Sequence, residues 1–315
     1  MSLIEQAAKR LEQLRKAGVE VYGPAVGGEA PAPDASIPIQ PPARAPASPL
    51  KRSSAGSAAP SAVVSRRVEL DLNALSATGL ISPDAPRSRI ADQYRVIKRP
   101  LIANAMAKGA APIKRGNLIM VTSALSGEGK TFTAINLAMS IAMELDNTVM
   151  LVDADVPKPS VLKMLGVPPG PGLLDVLTDE SVELSQVLMR TNVDKLSILP
   201  SGTQHARATE LLASDAMIRL LDEMASRYPD RIIIFDSPPL LMTTESRVLA
   251  THMGQVVVVV RAERTARSDV RHALAAIDAC PVKLVLLNQA RTSTQDGYGY
   301  GYGYGYGYGY GEGGA

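Results

Sequence analysis

The sequence predicts an α/β chain built on a doubly wound, mostly parallel sheet, flanked by two tails too poor in apolar residues to fold. Three observations predict it. From Asn117 onward short continuous apolar runs recur, "NLIMVTS", "TVMLVDAD", "LSILP", "RIIIFD", "QVVVVVR" and "KLVLLN", each bounded by polar or turn residues. Between them lie segments of helical periodicity, such as "TFTAINLAMSIAMEL" and "ATELLASDAMIRLLDEMASRY", with no hairpin signal joining the runs. Strand and helix in alternation mark parallel strands joined by crossover helices. The residue supply agrees, since 46% of the chain is hydrophobic but only 4% aromatic. A core of Val, Ile, Leu, Met and Ala suits strands buried on both faces.

At the N-terminus, "SLIEQAAKRLEQLRKAG" sets Leu3, Ile4, Ala7, Leu11 and Leu14 on one helical face, with charge opposite and Gly18 as the stop. Residues 1–22 read as an amphipathic helix that docks on a protein partner. Its apolar face is thin and lacks a large aromatic, which argues against a membrane-surface helix. Residues 23–67 are rich in Pro, Ala, Ser and Gly and read as a disordered linker, because such a composition buries too little surface to offset chain entropy. Order is expected to resume at Val68, giving a domain over 68–291. Early in that domain "SRIADQYRVIKRPLIANAM" reads as a helix that Pro100 breaks or kinks. Residues 292–315 form a disordered tail. In it Tyr298, Tyr300, Tyr302, Tyr304, Tyr306, Tyr308 and Tyr310 alternate with glycine.

Several function classes are excluded early. A net charge of +2 provides no bulk attraction for nucleic acid. Cys280 is the single cysteine, so neither an internal disulfide nor an all-cysteine cluster fits within one chain. His205, His252 and His272 show no metal-ligand spacing. The N-terminus lacks a signal-peptide core, and no apolar run approaches the ~20 residues of a membrane span. The expected location is cytoplasmic.

In doubly wound sheets ligands bind at the carboxyl ends of the strands, and there the motifs fall. The first run leads into "TSALSGEGKTFTAINLA", where Ala124-x-x-x-x-Gly129-Lys130-Thr131 has P-loop spacing, with Ala in place of the usual first Gly. Backbone N–H groups of Ser126, Gly127, Glu128, Gly129, Lys130, Thr131 and Phe132 would cradle phosphates at a helix N-terminus. Gly127 and Gly129 allow the close approach. Lys130 would meet the β and γ phosphates and Thr131 would offer a hydroxyl to Mg²⁺. The second run ends with Asp153 and Asp155, and "RIIIFDSPP" places Asp236 after its own apolar run. Carboxylates beside a Mg²⁺–nucleotide divide two jobs, metal binding and proton acceptance.

A P-loop, "LVDAD", "IIIFDSPP" and a tyrosine-rich tail together resemble the bacterial tyrosine kinases, in particular the tyrosine autokinases encoded with exosortase-associated exopolysaccharide loci. The resemblance spans Val68 to the C-terminus. It implies a P-loop NTPase of the Walker A/A′/B ATPase type that acts as a non-specific protein-tyrosine kinase, with ATP and Mg²⁺ bound. It assigns Asp153 as the base beside the incoming tyrosine, Asp155 to the Mg²⁺ shell with Thr131, and Asp236 to the metal through water. The reverse assignment of Asp153 and Asp155 fits the spacing equally. Where the family often carries Arg after the acidic pair, this chain has Pro157 followed by Lys158. Asp92-x-x-Arg95-x-x-Lys98 is similar to the family's oligomerisation motif, Glu-x-x-Arg-x-x-Arg, and Asn288 matches the position where related ATPases contact adenine.

A tyrosine hydroxyl, with an ordinary pKa near 10, needs a base and close placement to attack a γ-phosphate. A tail of about 25 residues has a root-mean-square reach of ~25–30 Å, enough to enter a neighbouring subunit's site. The resemblance therefore implies a phosphoacceptor tail, a ring-shaped homo-oligomer that phosphorylation loosens, and a tyrosine phosphatase that restores it. It also implies a transmembrane polysaccharide co-polymerase as activator, which would hold the protein peripherally at the inner membrane. The alternative on the same fold is a positioning ATPase of the partition or division-site type. Those usually carry an extra lysine early in the P-loop, which "ALSGEGKT" lacks.

Overall fold

In the computed structural model the described residues are 66–106, 112–227 and 230–291. The expectations for the N-terminal helix, nearly all of the linker and the tyrosine tail lie outside them. The elements, in chain order, begin with β1 (Arg67–Val68), α1 (Leu72–Ala77), α2 (Arg89–Ala105), β2 (Leu118–Ser123), α3 (Lys130–Ala142) and β3 (Thr148–Asp153). Then come α4 (Val161–Met164), α5 (Leu173–Thr178), α6 (Leu184–Val187), β4 (Met189–Thr191), β5 (Leu196–Leu199), α7 (Ala208–Leu212) and α8 (Asp215–Arg227). The last are β6 (Arg231–Asp236), α9 (Glu245–Thr251), β7 (Gln255–Arg261), α10 (Arg267–Ala275) and β8 (Val282–Asn288).

All eight strands of the described residues join one sheet in the order β1-β4-β5-β3-β6-β2-β7-β8. Every pairing is parallel except β4 with β5. The side-chain period of two divides the apolar runs between two cores. Ile119, Val121, Val149, Leu151, Ile232 and Ile234 face α2 and α3. Their neighbours in sequence, among them Met120, Met150, Ile233 and Phe235, face α8, α9 and α10. Both faces are covered, which is why these strands read as unbroken apolar runs.

Four expectations need correction. First, α2 runs through Pro100 without ending there. The proline removes the donor that would reach the Val96 carbonyl, and Val96 is 65% exposed, so the interruption falls on a solvent-facing part of the helix. Second, a hairpin is present. The three-residue β4 carries no apolar run and turns through Asn192–Lys195 into antiparallel β5, with Lys195 at φ 65°. Third, β1 begins at Arg67, one residue inside the stretch read as linker, held by parallel pairing of Arg67 and Val68 with β4. Fourth, the long segment from Ala208 divides into α7 and α8, where the Ser214 hydroxyl accepts from Met217 N–H at 3.3 Å and starts the second helix.

Candidate active site

The three central strands β3, β6 and β2 end side by side, and their register sets Asp153 opposite Asp236. The P-loop follows β2 directly. Gly127 and Gly129 have φ of 83° and 94°, left-handed backbone that only glycine adopts without strain. At Gly129 a Cβ would also run into the Asn288 side-chain amide. Gly129 is the N-cap of α3, so the N–H groups of the first turn, including those of Lys130 and Thr131, have no helical partner and face the loop.

Lys130 Nζ pairs with Asp155 Oδ2 and lies 3.7 Å from Asp236 Oδ1. Thr131 Oγ donates to Asp236 Oδ2 at 2.7 Å. Asp153 Oδ2 accepts from the N–H groups of Ser160 and Val161, both at 3.0 Å, at the start of α4. Asp155 Oδ1 accepts from Lys158 N–H at 3.2 Å. The structure thus gathers Lys130, Thr131, Asp153, Asp155 and Asp236 in one buried group. Burial pushes the Asp153 carboxyl up to about 6, against the pull of its two backbone donors. Burial pushes Asp236 up to about 7, the nearby Lys130 opposing it.

One oxygen of Asp153 and one of Asp236 are buried without a hydrogen-bond partner. The orphaned Asp236 oxygen beside the Thr131 hydroxyl offers hard-oxygen donors that suit Mg²⁺, and the orphaned Asp153 oxygen can accept a proton. Among the described residues no three His, Cys, Asp or Glu side chains form a metal cage.

Two supports of the loop escaped the sequence reading. The Glu128 carboxylate is buried. It accepts from Leu125 N–H at 2.7 Å and from the Thr265 hydroxyl, tying the loop to the turn after β7. Asn288, expected at an adenine, donates from Nδ2 to the Glu128 carbonyl at 2.9 Å and braces the loop from the end of β8. A carboxylate inside a Gly-rich loop was the available signal for the first. Nothing in the sequence marks Thr265. The motif on α2 lies away from this group, and all three of its members have partners inside the chain. Asp92 holds Arg95 at 2.6 Å and Arg87 at 3.1 Å, while Lys98 is buried and pairs with Glu144 at 2.7 Å.

Among the described residues a cavity of ≈ 1070 Å³ lies at the opposite, amino ends of β3, β5 and β6. It brings no catalytic cluster together. Among the described residues no helix is long and apolar enough to cross a membrane.

A family model described as an AAA domain matches residues 116–287. The tyrosine-protein kinase YwqD of Bacillus subtilis (strain 168) is 31% identical over 221 residues, covering 70% of this chain and 89% of that protein. The succinoglycan biosynthesis transport protein ExoP of Rhizobium meliloti (strain 1021) is 31% identical over 194 residues, and the match spans 61% of this chain but only 23% of ExoP. The crystal structure of the chimerical protein CapA2B2 matches with a TM-score of 0.58 at 28% identity, over 68% of this chain and 91% of that one. With its P-loop, its acidic floor and this likeness along most of YwqD, the chain belongs to the bacterial tyrosine kinase family, on a P-loop ATPase fold.

Proposed function

We propose that the chain is an ATP-dependent protein tyrosine autokinase that regulates exopolysaccharide synthesis or export. It transfers the γ-phosphate of ATP to tail tyrosines, Tyr298 to Tyr310, of a neighbouring subunit. The observation that carries this reading is the buried group of Lys130, Thr131 and three carboxylates at a P-loop, in a chain that carries seven tyrosines between residues 298 and 310.

The loop N–H groups and Lys130 bind and orient the triphosphate. Thr131, Asp155 and Asp236 would hold Mg²⁺, which supplies charge neutralisation at the β and γ oxygens. Asp153 is the base. Its second oxygen has no partner, whereas both oxygens of Asp155 are engaged. A carboxyl held up at about 6 is still ionised at neutral pH and is a better match for a phenol than an ordinary carboxylate. The tyrosine oxygen bonds to the γ-phosphorus as the bond to the β–γ bridging oxygen breaks. ADP leaves and the phenol proton passes to Asp153.

Support for the polysaccharide role comes from ExoP, and for a co-polymerase partner from the family likeness. Asp92, Arg95 and Lys98 would serve a ring of subunits, with a phosphatase resetting the tail. The test is labelling of the full chain with Mg²⁺ and γ-labelled ATP, with the partner's cytoplasmic segment added. Label on Tyr298 to Tyr310 that falls by about 10²-fold or more in Lys130→Ala is the expected result. ATP hydrolysis without tyrosine label would instead favour a positioning ATPase.

A further inference from the structure

β8 closes one side of the sheet and, among the described residues, pairs with β7 alone. The Asn288 carbonyl accepts from Ala262 N–H on the β7 side. In a parallel ladder the residues that bond one neighbour alternate with those that face away. Val282, Leu284, Leu286 and Asn288 are therefore spent on β7, and Lys283, Val285 and Leu287 turn their N–H and C=O groups to the open edge. The Val285 and Leu287 side chains are exposed, to 54% and 61%, and the Lys283 side chain, whose charge could blunt the edge, is half-buried and held by Asp278 at 2.9 Å, while Leu284 and Leu286 pack on the core. An edge strand with no proline, no bulge and an apolar outer stripe is a template for another strand.

The chain carries one segment fitted to it. The tail follows Arg291, three residues past β8. Its tyrosine–glycine alternation has the period of a strand, so an extended Tyr298–Tyr304 sets every ring on one face and only glycines on the other. Tyrosine has high strand preference. Gln289 already turns the backbone, at φ 57°, and residues 289–297 are long enough to reverse it. A root this close holds the tail at an effective concentration on the order of millimolar or above.

We propose that the unphosphorylated tail of the same chain docks antiparallel along β8 as a ninth strand, its tyrosine rings over Val285 and Leu287. The glycines, which weaken a strand, keep the docking reversible. A phosphate would bring about two negative charges onto the apolar stripe, so the docked form is the unmodified one. The tail's free tyrosines would then be counted by the edge before any active site meets them.

Hydrogen exchange at single-residue resolution tests this without nucleotide, so its outcome is independent of the kinase reading. The full chain is compared with a full-length variant carrying serine at all seven tail tyrosines. The amides of Lys283, Val285 and Leu287 should exchange about tenfold more slowly in the native chain, at every protein concentration, with β2 and β6 amides unchanged as the folding control. Equal rates at the three amides would overturn the proposal. So would protection that fades on dilution, which would assign the edge to a second copy's tail.

Discussion

The molecule carries two charged regions built from the same residue types. One is the floor formed by Asp153, Asp155 and Asp236 around Lys130; the other is the face of α2 with Asp92, Arg95 and Lys98. In the first, Asp153 and Asp236 are at most 1% exposed, carboxyls are driven toward neutrality and two oxygens are left without donors. In the second, the Asp92 and Arg95 side chains stay 29% and 42% exposed, and solvent screens their attraction. Spacing decides which charges meet, and burial decides what the meeting is worth. Lys98 stands between the two cases. It lies on the α2 face by sequence, yet it is buried against α3 and donates to the Ser140 carbonyl near that helix's C-terminus.

The largest break in this comparison should come at the floor. Asp153 and Asp236 have folded values of about 6 and about 7, above the ordinary carboxylate value near 4. The folded state therefore binds more protons than the unfolded state between those values. The stability this contributes is complete below pH ~4 and is lost as pH rises through ~6 and ~7. Without divalent cations, denaturant unfolding should show the chain weakening from pH 5 to pH 8. Asp153→Asn should remove Asp153's share, on the order of 3 kcal/mol, and abolish tyrosine labelling as well. An unchanged pH slope in the variant would show that the carboxyl is not held up.

At Lys98 the effect should be intermediate. Lys98→Ala removes a buried stem and the cap on α3, and should cost about 2 kcal/mol. Lys98→Met keeps the stem and should cost less, so the two variants separate packing from charge in the same unfolding measurement. The smallest effect belongs to Arg95→Ala, within about 0.5 kcal/mol of the native monomer. Its influence should appear in assembly, read by light scattering. A large loss of monomer stability there would erase the distinction between the two regions.

Much of the sheet was legible because buried strands write themselves as apolar runs; the six runs became β2, β3, β5, β6, β7 and β8, although alternate residues of the edge strand β8 stay exposed. β1 and β4 were not, since a two- or three-residue strand held by backbone pairing leaves no side-chain pattern. The P-loop and its three carboxylates were legible because phosphate chemistry restricts residue types at fixed spacing. Glu128 and Thr265 were not, because their contact joins residues 137 positions apart. Pro100 misled for a local reason: proline's cost inside a helix depends on whether the interruption faces solvent, and sequence alone does not say which face that is.

The central place of β2 has a consequence for biosynthesis. Its two neighbours in the sheet, β6 and β7, lie more than 100 residues further along, and the Asn288 brace on the P-loop belongs to the last strand. A chain emerging from the ribosome therefore carries its phosphate loop early but cannot set its shape until nearly all of the domain has been made. Until then Leu118–Ser123 is an unpaired apolar strand, a natural binding site for chaperones. Nucleotide capture thus waits until the domain's last strands are in place.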